Sequence, residues 1–147
     1  MSTGLYAASR RDHLDRLMYC GRYALIAATG MSSGQVTTGV NLYRNEHPEK
    51  HVGSTSVNDL CHALEFMGFN FSSERLYHRD KQPTFTQWRK REQHNRNATY
   101  IVLVTRHWIT VKGDWMADTM HDEPVDLSRK NPYARKRVQA VIRITGA

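Results

Sequence analysis

Apolar and polar positions alternate with a helical period through the first two thirds of the chain and with a strand period after residue 100. In "MYCGRYALIAATG", residues 18–30, Ala24, Leu25 and Ala28 fall at helical spacing after Cys20, and Gly30 is a natural stop. This predicts a short helix starting near Cys20. A second helix is expected with Ser33 as its N-cap and with Val36, Val40 and Tyr43 on one face. The strongest helical stripe is "SVNDLCHALEFMG": Ser56 can cap, Asp59 sits in the first turn, and Val57, Leu60, Cys61, Leu64 and Met67 line one side before Gly68. A weaker helix is expected after Pro83, burying Phe85 and Trp88.

Beyond residue 100 the signal is β. "TYIVLV" is β-branched and aromatic, "HWITV" and "WMADT" flank a Lys-Gly turn, and "RVQAVIRI" alternates as a last strand. Helices followed by a β meander read as an α+β fold. The length, 147 residues with 39% hydrophobic content, suits one domain spanning residues 1–147.

The hairpin brings two side chains with chemistry together. If Lys112 and Gly113 form a two-residue turn, His107 stands opposite Asp118, with Cβ atoms about 4.5–5.5 Å apart. A three-residue turn, Lys112 to Asp114, sets His107 opposite Thr119 instead. A cysteine at a helix start beside an imidazole held by a carboxylate is a nucleophile: helix dipole and imidazolium favour the thiolate, and the carboxylate fixes the imidazole tautomer. The candidate catalytic residues are therefore Cys20, His107 and Asp118. The alternative for Cys20 is an inert core thiol, and that is the reading given to Cys61 on its apolar stripe. Trp108 and Trp115 share the other face of the hairpin as core aromatics.

The order of features, "CGRYALIAATG", "TSVNDLCHALEFMGF", "PTFTQWRKRE", "YIVLVTRHWITVKGDWMADT" and "EPVDLSRKNPYARKRVQAVIRI", resembles the small papain-like cysteine peptidase fold. The likeness is to short phage-encoded members related to the peptidase domains of bacteriocin transporters. It implies a helical N-terminal half packed on a C-terminal antiparallel sheet, with the nucleophile at Cys20, the histidine at His107 and the third member at Asp118. It also implies a thiol hydrolase that needs no cofactor, acts on a peptide or protein substrate, and works in the host cytoplasm or the virion. The family's Gln ahead of the cysteine is missing from "SRRDHLDRLMY"; His13 is the nearest substitute, or an Asn or Gln from elsewhere.

Composition narrows the remainder. Lys and Arg outnumber Asp and Glu by 21 to 14, a formal charge of +7, which favours acidic partners. The cations concentrate in residues 75–97 and 128–137, where aromatics are interleaved in a manner that suits single-stranded nucleic acid. An inactive papain-like fold using that basic surface to bind nucleic acid or protein is the alternative function. The histidines have no zinc-type spacing, so no metal is expected. Neither a membrane span nor a signal peptide is read, which predicts a cytoplasmic protein without membrane association.

Overall fold

A computed structural model of the protein describes residues 4–6, 20–50, 52–76, 78–92 and 97–146. The fold is α+β. Its helices among these residues are α1 (Cys20–Thr29), α2 (Ser33–Arg44), α3 (Val57–Phe66) and α4 (Phe85–Glu92). The strands are β1 (Asn70–Arg75), β2 (Thr99–Val104), β3 (His107–Lys112), β4 (Trp115–Ala117), β5 (Val125–Asp126) and β6 (Val138–Gly146). They form one antiparallel sheet in the order β1-β6-β2-β3-β4-β5. Strands β2 to β5 make the expected meander, but β6 folds back against β2 and takes a central place, with β1 added outside it.

Alternation along the strands divides the core into two layers. Ile101, Trp108, Ala140, Ile142 and Ile144 face Leu25, Val36, Leu60 and Leu64 of α1, α2 and α3. On the other face Val102, Ile109, Val111, Met116 and Val141 pack with Phe85 and Trp88 of α4. Both aromatics expected to anchor α4 are buried, and Thr84 and Gln87 cap that helix reciprocally.

The helix boundaries follow from local chemistry. Gly30 ends α1 with φ +74°, a conformation costly for other residues. In α2 the N-cap is Ser32, one residue before the expected Ser33, because Gln35 can then reach back to its backbone N–H and complete a capping box. Val36 and Val40 are buried as expected. Tyr43 is exposed and stacks on His62 with ring centroids 4.0 Å apart. The cap predicted at Ser56 is present, reciprocated by Asp59.

Two turns place the site. The β2–β3 turn holds Thr105 and Arg106 at φ 46° and 66°, the left-handed pair that a tight hairpin of this twist requires. The β3–β4 turn differs from both predicted forms. It is Gly113–Asp114, with Lys112 paired to Trp115 and Gly113 at φ +59°. The glycine takes the first central position, where positive φ is needed, and Asp114 is held there by Arg89 at 3.0 Å.

Candidate active site

Cys20 is the first residue of α1, and that helix is fixed over β3. The Thr110 hydroxyl donates to the Ala24 carbonyl at 2.7 Å in the interior, and Trp108 Nε1–H donates to the Thr55 carbonyl at 3.2 Å. The glycine after the cysteine allows the close approach: a Cβ at Gly21 would lie 1.8 Å from Thr55 Oγ1 and 3.2 Å from Trp108 Cδ1. Thus the "CG" pair sets the start of α1 against the start of β3. The half-buried Cys20 sulfur there hydrogen-bonds the His107 side chain and the Trp108 backbone.

His107 opens β3 directly after the left-handed turn. Its Nε2 lies 2.9 Å from Asp118 Oδ2, leaving Nδ1 as the nitrogen for the thiol. The observed β3–β4 register shifts the pairing by two residues from the one that set His107 against Asp118. A shift of two preserves the face, so the side chains meet diagonally rather than directly.

The Asp118 side chain is completely buried. Besides His107 it is met by His121, whose Nδ1 lies 2.6 Å from Oδ1, and by the Tyr133 hydroxyl, which donates to Oδ2. Tyr133 also packs beside the His107 ring at 5.5 Å between centroids. Sequence reasoning assigned neither residue to the site. His121 carried a faint signal in its position three residues after Asp118. Tyr133 carried none, since it reaches the site only because the loop before β6 crosses that end of the sheet.

The electrostatics follow from these contacts. Burial pushes the Cys20 thiol up, but the His107 hydrogen bond and charge, with the backbone N–H groups of Trp108 and Gly21, bring it below the ordinary thiol range. Burial pulls His107 down, and the bonds to Asp118 and Cys20 more than reverse this, raising it to about 9. Burial likewise opposes ionisation of Asp118, yet its bonds to His107, Tyr133 and His121 hold it below the usual carboxylate range. Burial and Asp118 push the Tyr133 phenol up. The arrangement favours a thiolate–imidazolium pair steadied by a buried carboxylate.

Cys61 packs half-buried against the helical core, and burial raises its thiol despite a Ser73 hydrogen bond. Trp108 is core, whereas Trp115 is only half-buried. His13 lies outside the described residues, as do residues 77 and 93–96 of the basic segment. The described parts of the two basic segments meet through bonds from Phe85 N–H to the Lys136 carbonyl and from Thr86 N–H to the Ala134 carbonyl. Among the described residues no group of three or more His, Cys, Asp and Glu could hold a metal ion, and no helix is long and apolar enough to cross a membrane. No protein-family model matches the chain, and no match to a curated protein is found.

Proposed function

We propose that the chain is a papain-like cysteine hydrolase that cleaves an amide bond in a peptide or protein, with Cys20 as nucleophile, His107 as proton carrier and Asp118 as its orienting carboxylate. The observation that carries this reading is the continuous series Asp118–His107–Cys20 at one end of the sheet, with the thiol at a helix start.

The Cys20 thiolate attacks the carbonyl carbon, forming a C–S bond as the carbonyl π electrons move to oxygen. The backbone N–H of Cys20 and the positive end of α1 stabilise that oxyanion. The intermediate collapses with cleavage of the C–N bond, and the departing amine takes the proton from His107. Neutral His107 then removes a proton from water, whose hydroxide attacks the thioester. The acid product leaves, and the thiolate and imidazolium are restored. Asp118 stays ionised throughout and holds Nε2, so that Nδ1 faces the sulfur.

A peptide library digested at neutral pH tests this by the appearance of new N-termini. Wild type is expected to generate them, Cys20→Ser and His107→Ala to generate none, and Asp118→Asn to lose on the order of 10²- to 10⁴-fold in rate. Cleavage by Cys20→Ser at the wild-type rate overturns the reading. The second reading, a basic binding module, is favoured by the meeting of the two cationic segments; its mark is a salt-dependent affinity for single-stranded nucleic acid that Cys20→Ser leaves unchanged.

A further inference from the structure

A cleft of about 500 Å³ lies on the helical side of the same sheet end. Its floor includes Leu103 and Ala140, and its polar lining is Asn58, Arg75, Gln82 and Gln139. The cleft adjoins the segments that carry the thiol. Leu103 pairs across the strands with Trp108, which bonds Thr55, and Thr55 both touches Gly21 and precedes the cleft-lining Ser56.

Among the described residues the cleft has one charged residue in its lining, and that residue is a cation, Arg75. Arg75 donates to Asn58 Oδ1, so the Asn58 amide nitrogen is turned to donate elsewhere. Gln139 Oε1 accepts from the Arg106 backbone N–H at 2.8 Å, which likewise leaves its amide nitrogen as a donor. A further guanidinium borders the site: Arg137 donates to the Gln82 carbonyl at 2.9 Å. Glu74 lines a different cleft with Trp88 and Tyr100, and Asp59 is bound by Arg44 at 2.8 Å. Converging donors around one guanidinium fit a group that only accepts hydrogen bonds.

We infer that this cleft is the specificity subsite of the site proposed above, and that it takes the carboxylate side chain of a Glu or Asp in a peptide substrate. The inference rests on the hydrolase reading for its biological meaning, but binding in the cleft can be measured without turnover.

Cys20→Ser protein, labelled with ¹⁵N, is titrated with acetyl-Ala-Glu-Ala-amide and with its Gln and Lys counterparts, following the side-chain amide signals of Asn58, Gln82 and Gln139. The expected result is saturable shifts of those signals, with a Kd for the Glu peptide about tenfold below that for the Lys peptide. Arg75→Gln abolishes the preference and Arg75→Lys retains part of it, each variant's dispersed spectrum reporting that it is folded. Equal binding of the three peptides, absence of shifts at these amides, or stronger shifts with a short single-stranded oligonucleotide would overturn the assignment. None of these outcomes depends on thiol chemistry, so a library cleaved by wild type without acidic preference sinks the subsite alone. An inert Cys20 with the Glu preference intact sinks the hydrolase reading alone.

Discussion

Asp118 is a buried carboxylate surrounded by His107, His121 and Tyr133, and Gly21 is a residue whose missing side chain lets α1 approach Thr55 and Trp108. Each acts through position. A methyl group at residue 21 must displace Thr55 and crowd Trp108, so Gly21→Ala is expected to destabilise the protein by about 1–3 kcal/mol, the usual cost of overpacking. The same displacement moves Cys20 from His107. A denaturant midpoint and a thiol-labelling rate, both unchanged from wild type, would contradict the close approach. At this scale the sequence was informative where chemistry is local. Cys20, His107 and Asp118 could be singled out because a cysteine at a helix start and a His–Asp pair across a hairpin leave a signature. His121 and Tyr133 escaped because a buried carboxylate's further donors are chosen by tertiary packing.

Among the elements, α2 and α3 are joined by Arg44, whose guanidinium bonds both oxygens of Asp59, at 3.0 Å and 2.8 Å. Asp59 also caps α3, so one buried carboxylate fixes a helix start and a helix pair. Arg44→Ala strands that charge and is expected to cost about 2 kcal/mol, less than for a fully buried pair because Arg44 remains partly in water. Burial opposes ionisation of Asp59, but Arg44 and Ser56 hold it below the usual carboxylate range. Its contribution is therefore present above the ordinary carboxylate pKa and lost as pH falls through the lowered value. Acid titration of unfolding should show a shallower acid slope in Arg44→Ala than in wild type. The β2–β3 turn is the opposite case, a local cost. Thr105 is β-branched at φ 46°, so Thr105→Asn is expected to stabilise by about 1 kcal/mol in thermal unfolding, and a loss of stability would show that the threonine side chain is needed there. Strand pairing shows the limit of pattern reading. Parity put His107 and Asp118 on one face, yet the register depended on whether Gly113 stood first or second in its turn. Strand β1, "NFSSER", is almost entirely exposed and has no apolar alternation to reveal it; its partner β6 supplies the ladder that makes it a strand.

For the molecule as a whole, the site couples charge to folding and, on the proposed reading, to turnover. His107 is raised from 6.5 to about 9, so its stabilising contribution is complete below 6.5 and is lost as pH rises through about 9. Unfolding free energy should fall by a few kcal/mol at most over that interval, and His107→Ala should flatten the fall. On the proposed hydrolase reading the cleavage rate is expected to follow the imidazolium as well, with an alkaline limb near 9 and an acid limb where the thiolate forms. The central claim, that Cys20 and His107 exist as a thiolate–imidazolium pair, is tested most directly by iodoacetamide labelling of the folded protein from pH 4 to 9, read by mass spectrometry at Cys20 and Cys61. The account predicts fast labelling of Cys20 near pH 6, slow labelling of Cys61, and a shift of Cys20 to an ordinary thiol profile in His107→Ala. Slow labelling of Cys20 with an ordinary thiol profile that His107→Ala leaves unchanged would contradict it.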